Sequence, residues 1–293
     1  INAGEVKNTA TVTATPPTGP NVTDVSDSGD ELVDTSADPD TDPTNDPTVV
    51  PLPPLDAKLN LKVLLQGALL PSASNTGVIT TGIMRDNLRT AGVLPLTEPY
   101  TAIGSTNARF THVGGGGETT SLGVLSATGN DAIVDWVFVE LRDSNNPSTV
   151  IRTKSALVQR DGDVVEASDG VSALTFTGVV GLSYYVSIKH RNHLGAMTSA
   201  AIQMTTNGTT VDFTSMTSLQ MYNNAPQYDG YEQVDVNGKM ALWAGNTNGD
   251  NKVKYVGVDN DQIAVFNQVL NYSNNTTQQY NYDFVTPVYF SGD

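Results

Sequence analysis

Residues 131–143, DAIVDWVFVELRD, put Val137, Val139 and Leu141 on one face of an extended chain and Trp136 and Phe138 on the other. Apolar groups at both parities predict a central strand covered on both faces. Residues 148–163 (STVIRTKSALVQRDGD) read as a second strand ending in an Asp161-Gly162 turn. Residues 183–193 (SYYVSIKHRNH) read as a third, with Tyr184, Val186 and Ile188 on one side. Residues 59–70 predict a strand and then a glycine turn, 83–92 a short helix or turn, and 94–100 extended chain. Near the start, 5–15 (EVKNTATVTAT) alternates, with Val6, Ala10, Val12 and Ala14 sharing a face; this predicts a half-buried antiparallel strand, and VTDVSD a return strand. The strongest helical spacing is at 261–271, where Ile263, Phe266, Val269 and Leu270 form a stripe. The expected fold class is all-β: Ig-like and β-sandwich modules with one short helix near the carboxyl end.

Composition divides the chain further. Residues 24–46 hold nine acidic side chains and no basic one, and are rich in proline. They read as an extended, solvated linker, or as a cation site built from Asp42, Asn45 and Asp46. The expected organisation is the last strands of an Ig-like repeat at 1–33, a linker at 34–56, a β-sandwich at 57–235 and a calcium-binding segment at 236–293. Both ends read as cut from a longer protein.

The chain has 31 acidic and 15 basic residues, for a formal charge of −16. That argues against nucleic acid and anionic membranes, which need clustered lysine and arginine, and it suits divalent cations. With no cysteine, disulfides, thiolate nucleophiles and cysteine-based zinc sites are excluded. No apolar run reaches membrane-spanning length. No nucleophile elbow, zinc motif or nucleotide loop is present, so the chain reads as non-catalytic. Gly114–Gly117 reads as a loop and not as a phosphate cradle, because no Lys-Ser/Thr follows. A glycosidase pair would draw on Glu140 with Asp161 or Asp163. Trp136, Trp243 and tyrosines 184, 185, 222, 228 and 231 offer either sugar-stacking surfaces or core. In KHRNH, His190 and His193 are placed on opposite faces of one strand, a poor metal pair, and their polar groups are expected to bond a neighbouring loop. Arg160 or Arg191 is expected to pair with Asp135 or Glu140 across the sheet.

One stretch carries specific chemistry. In GNTNGDNKVKYVGVDNDQ, Asn246, Asn248 and Asp250 occupy positions 1, 3 and 5 of a loop, and Lys252 supplies a backbone carbonyl at 7. Asp259 or Asp261 then closes the shell, with Asp261 preferred because it opens the apolar stripe. Calcium takes six to eight oxygens in such an arrangement. The alternative is an Asn/Gly-rich turn without metal.

This stretch resembles the dockerin-type half of an EF-hand. It is closer to a variant at the carboxyl ends of secreted bacterial surface proteins, with Val253, Lys254, Tyr255, Gly257, Asn260 and Asp261 in place. Asn246 replaces the usual first Asp and Asn251 the usual loop Gly. Affinity is therefore expected to be weak, and Asn251 is expected to be left-handed. Gly292-Asp293 looks like the opening of a second loop. Upstream, DWVFVELRD, SALVQRDGDVV and YYVSIKHRNHLGAMT, with EPY at 98–100 and MALWAG at 240–245, resemble the module preceding such repeats in large adhesins exported by the type IX secretion system. The opening residues resemble Ig-like stalk repeats. The resemblance implies the end of a giant extracellular surface fibre, stiffened by calcium, with identical chains as partners, no catalytic residues and no membrane insertion. Cell-surface glycans, or a cohesin-like chain bound by a dockerin, are the rival partners.

Overall fold

A computed structural model describes residues 5–8, 10–15, 17–25, 48–51, 55–69, 82–223, 233–276 and 289. The acidic stretch with Asp42, Asn45 and Asp46, Tyr228, Tyr231, and Gly292-Asp293 lie outside the described residues. The chain divides into two units, one of residues 1–56 with 177–180, the other of 57–176 with 181–293.

In the first unit, β1 (Glu5–Asn8) pairs antiparallel with β4 (Thr48–Pro51), and β2 (Thr11–Ala14) with β3 (Val22–Val25). The return strand is where the alternation placed it. The expected half-burial is not found: Val12 is 66% exposed and every described side chain of β2 is open to solvent. No second layer covers this hairpin among the described residues, so alternation here orders the two faces without burying either.

The second unit is built on a sheet of nine described strands. Its members in chain order are β5 (Asp56–Lys62), β6 (Ile133–Asp143), β7 (Val150–Gln159), β8 (Asp163–Val165), β9 (Leu174–Thr177), β10 (Ser183–His190), β11 (His193–Met197), β12 (Ile202–Gln203) and β13 (Thr209–Asp212). The main path runs β11-β10-β6-β7-β8-β5-β13, with β12 beside β10 and β9 beside β5. β13 runs parallel to β5, whereas β6 is flanked by antiparallel neighbours on both sides. A separate hairpin joins β14 (Gln233–Val236) to β15 (Lys239–Leu242).

β6 is the central strand its sequence predicts. Trp136, Val137, Phe138, Val139 and Leu141 are all fully buried, so both faces are covered. The Trp136 and Phe138 face meets Tyr100 and Phe110, whose rings lie 5.3 and 5.7 Å from that of Phe138. Polar tips are matched inside this cluster. Trp136 Nε1 donates to the Pro95 carbonyl at 3.0 Å, and Tyr100 Oη to the Trp136 carbonyl at 2.9 Å. Buried aromatics of this size dominate core energetics provided their polar handles are bonded.

Short helices were only partly foreseen. α1 (Gln66–Leu69) stands where a glycine turn was expected. α2 (Asn87–Thr90) lies inside the helix-or-turn segment, α3 (Tyr100–Gly104) begins at the last residue of the expected extended chain, and α4 (Leu122–Leu125) had no signal. Four or five residues are too few to show a helical period. α5 (Asp261–Asn271) matches the predicted helix, with Phe266, Val269 and Leu270 half-buried but Ile263 53% exposed.

Candidate functional site

The oxygen-rich loop starts from a fixed point. Leu242 N donates to the Leu64 carbonyl, Leu194 N to the Trp243 carbonyl, and Gly245 N to the Asn192 carbonyl, at 2.8, 2.8 and 3.0 Å. The next residue, Asn246, is fully buried. Its Oδ1 accepts the Asp250 N–H at 3.0 Å, and Asn248 Oδ1 accepts the same N–H at 3.0 Å. Two oxygens on one donor are necessarily close together. Asp250 Oδ1 in turn accepts from Lys252 N at 2.9 Å.

Asp261 turns its carboxylate back onto the loop backbone. It opens α5 and is 6% exposed. Its Oδ1 accepts from Asn248 N at 3.3 Å and its Oδ2 from Lys254 N at 2.7 Å. Asn260 caps the helix, its Oδ1 accepting from Ile263 N at 3.1 Å. Asp259 is not brought in the same way. It is exposed, has φ 56°, and meets the loop through its backbone carbonyl, which accepts Asn248 Nδ2 at 2.9 Å. Lys252 is exposed, so only its backbone carbonyl is on offer. Asn251 has φ 72°, the left-handed conformation expected of it.

The donor set fits a hard divalent cation. Asn246, Asn248, Asp250 and Asp261 contribute oxygens alone, and two of the four are carboxylates, enough to neutralise one such ion. Asn246 is held by its oxygen, its buried Nδ2 having no partner. Bound calcium would supply charge neutralisation and a rigid shell, with the Lys252 carbonyl as a further oxygen.

The loop is latched to the sheet unit at one carbonyl. Gly249 O accepts from Asn107 Nδ2 at 3.1 Å and from Arg109 Nη1 at 2.7 Å. A side chain at 249 is opposed by the φ of 71°, and an added Cβ would lie 2.5 Å from Asn107 Nδ2 and push that amide off the Gly249 carbonyl.

Beside the loop lies a buried polar chain. β10 and β11 form a hairpin with Arg191 and Asn192 at its turn, so His190 pairs with His193 across strands. Their rings lie 4.8 Å apart. This corrects the placement on opposite faces, which treated 183–193 as one strand. The hydrogen bonds assign the tautomers. Gly67 N–H donates to His193 Nε2 at 3.2 Å, so the proton is on His193 Nδ1, 2.7 Å from Asn192 Oδ1 and 3.0 Å from His190 Nδ1. His190 Nδ1 accepts the Asn192 N–H, leaving His190 Nε2–H to donate to Asp135 Oδ2 at 3.1 Å. Arg191 Nη2 donates to the same oxygen at 2.7 Å, and Tyr289 Oη and Trp136 N donate to Asp135 Oδ1.

Burial acts to raise the Asp135 pKa, but the Arg191 charge and the His190 and Tyr289 hydrogen bonds override it and hold the carboxyl well below the usual range. Burial pushes His190 down against the pull of Asp135, and pushes His193 down with help from His190 and Arg191. Both imidazoles are neutral at pH 7. Glu140, a second possible partner for Arg191, instead pairs with Arg142 and Lys189; burial lowers the Lys189 pKa to about 8 despite Glu140. Arg160 lies 3.8 Å from Asp86, not against either carboxylate.

Composition missed one cluster. Glu98, His112 and Glu118 bring one ligand atom each within 4.8 Å of one another. Glu98 is buried and already engaged: its oxygens accept from Tyr100 N, Thr101 N and Gly117 N, and from the Thr101 and Ser155 hydroxyls. Burial alone would raise its pKa, and these bonds, with His112 nearby, lower it. The tetraglycine borders this cluster, Gly117 N donating to Glu98 Oε1 at 3.1 Å. A Cβ on Gly115 would lie 2.3 Å from the Thr153 carbonyl, so the loop must be side-chain-free to press on β7.

The glycosidase pairing is not assembled. Gln159 pairs with Ile133, seven residues along β6 from Glu140, which is about 23 Å at roughly 3.3 Å per residue; Asp161 lies in the turn beyond Gln159, and the β7–β8 register brings Asp163 level with Gln159. Glycosidase carboxyls sit about 5–9.5 Å apart. Trp136 is fully buried in the core, Tyr184 is 6% exposed, and Trp243, Tyr185 and Tyr222 are half-buried. Comparison with protein-family models, curated proteins and solved structures found no match to this chain.

Proposed function

We propose that this chain is a non-catalytic structural and adhesive module at the end of a long extracellular surface fibre, stiffened by calcium at the 246–261 loop. The observation that supports this reading most is the turning of Asn246, Asn248, Asp250 and Asp261 onto one short loop that Arg109 and Asn107 latch to the sheet. An ion there neutralises Asp250 and Asp261 and ties the start of α5 to the end of the β14–β15 hairpin. Ligand binding to the folded state alone adds about 2.7 kcal/mol at a hundredfold excess over Kd. The resemblance to the end regions of type IX-exported adhesins supplies the fibre context. Among the described residues no helix is long and apolar enough to cross a membrane.

Self-association with identical chains belongs to the same reading. Tyr255, Val256 and Val258 are 77, 71 and 80% exposed beside the loop, a concentration of apolar surface of the kind that marks interaction sites. The same observation favours a second reading, in which a dockerin-like segment docks on a separate cohesin-like chain. Light scattering and thermal melting, in calcium and in chelator, test the proposal. The expected result is a higher melting temperature in calcium, with a multiple of the chain mass. Identical mass and melting temperature in both buffers contradict it; calcium-dependent melting of a strict monomer favours the second reading.

A further inference from the structure

The aromatic face of β6 changes character toward the end of the strand. Trp136 and Phe138 are followed at the same parity by Glu140 and Arg142. The register sets Ser187 of β10 opposite Glu140, and Met197 of β11 opposite Ser187. Directly opposed residues of antiparallel strands share a face. On this polar end of the face opens a cleft of about 550 Å³, lined by all four of these residues. Its volume falls within the roughly 300–1,000 Å³ of small-molecule sites.

Charge in the cleft is one-sided. Arg109, Arg142 and Lys189 line it against a single lining carboxylate, Glu140. Glu140 is already engaged, its Oε1 accepting from Lys189 Nζ at 2.5 Å and its Oε2 from Arg142 Nε at 2.7 Å. Burial lowers the Lys189 pKa to about 8; Glu140 opposes this, and the Arg142 and Arg109 charges add to the fall. A cleft walled by one sign of charge concentrates ions of the other, here in a chain whose formal charge is −16.

Two polar groups on this wall are left over. Arg142 Nη1 donates to the Pro147 carbonyl at 2.9 Å, but Nη2 has no hydrogen-bond partner among the described residues and is not sealed from solvent. Ser187 is 5% exposed, and its hydroxyl likewise has no partner and is not sealed. The open surface of so buried a residue faces the cleft it lines. Ser148 adds an exposed hydroxyl and Tyr222 a half-buried ring. An open guanidinium N–H takes a carboxylate through a charge-assisted hydrogen bond. Hydroxyls that donate and accept, beside an aromatic ring, suit a hydroxylated ring better than an apolar acid.

We propose that this cleft binds a carboxylate-bearing sugar, a uronate, its carboxylate on Arg142 Nη2 and a ring hydroxyl on Ser187 Oγ. The site supplies a ligand for the adhesive reading above and rests on that reading only for where such a sugar is met. Calcium binding is measured without sugar, so the two can fail separately.

The test is an amide-resolved NMR titration of the whole chain with glucuronate, at equal free calcium and ionic strength in every arm. Glucose is the neutral match, and acetate the carboxylate without a ring. Glucuronate is expected to shift the Ser187, Lys189 and Met197 amides saturably, with glucose and acetate each at least tenfold weaker. Arg142→Gln is expected to weaken glucuronate at least tenfold. Ser148→Trp, at an exposed position on the cleft wall, is expected to abolish the shifts. The proposal is overturned by no saturable glucuronate shift, by equal binding of glucose or of acetate, or by undiminished binding in either folded variant. Should Arg142→Gln fail to fold, the glucose and acetate arms and Ser148→Trp decide.

Discussion

Arg191 Nη2 lies 2.7 Å from Asp135 Oδ2, and both side chains are almost wholly removed from solvent. The register places this pair. Phe138 of β6 faces Lys189 of β10, and continuing three residues further brings Asp135 level with the turn that carries Arg191. The aromatic ring of Tyr289 covers the guanidinium, 4.0 Å from its carbon. Removing one partner of such a pair leaves the other charge buried and uncompensated, which costs about 3–5 kcal/mol. Asp135→Asn is therefore expected to lower unfolding free energy by that order in urea denaturation. A loss below about 1 kcal/mol contradicts the assignment.

Acid should weaken the fold before it protonates ordinary carboxylates. His190 and His193 have folded pKa values below the unfolded value near 6.5, set by burial and by the Asp135 and Arg191 charges around them. Between those values the unfolded chain binds more protons, so stability is full above about pH 6.5 and falls as pH drops through it. The slope is up to about 1.4 kcal/mol per pH unit for each histidine. Asp135, also depressed, adds a loss of the same sign from about pH 4 downward. Denaturation midpoints from pH 8 to 5 should show this slope, and His193→Gln should roughly halve it.

The latch at Gly249 couples the loop to the sheet. Arg109→Ala removes the 2.7 Å donor to that carbonyl and leaves Asn107 in place. Calcium affinity is expected to fall several-fold while the melting temperature in chelator changes little. The reverse pattern, a lower melting temperature with unchanged affinity, would make Arg109 a scaffold contact only.

Within the tetraglycine, position decides the cost. Gly115→Ala drives a Cβ to 2.3 Å from a β7 carbonyl, whereas at Gly117 nothing lies within 4 Å and only the positive φ of 77° opposes alanine. Gly117→Ala should cost roughly 1–2 kcal/mol, and Gly115→Ala clearly more, by equilibrium denaturation.

The sequence made some of this legible. The doubly apolar run around Trp136 announced a central strand, and the stripe ending at Leu270 announced α5, because each is long enough to show its period. Of the expected pairings of Arg160 or Arg191 with Asp135 or Glu140, the structure makes the one between Arg191 and Asp135. The turn at Arg191-Asn192 was hidden because it carries neither glycine nor proline, so two histidines of one hairpin read as one strand. The four-residue helices, and the meeting of Glu98, His112 and Glu118, arise from tertiary packing that no local pattern records. In the loop, spacing pointed to the oxygen side chains and the start of the apolar stripe favoured Asp261 over Asp259; the structure adds that Asn246 and Asp261 are buried and Asp250 exposed.

Calorimetric titration with calcium, on the natural chain and on Asp261→Asn and Asp259→Asn, tests the central claim most directly. The account predicts one site with Kd on the order of 10⁻⁴–10⁻³ M, weakened at least tenfold by Asp261→Asn and little changed by Asp259→Asn. Absence of calcium heat in the natural chain, or equal affinity in Asp261→Asn, would contradict it.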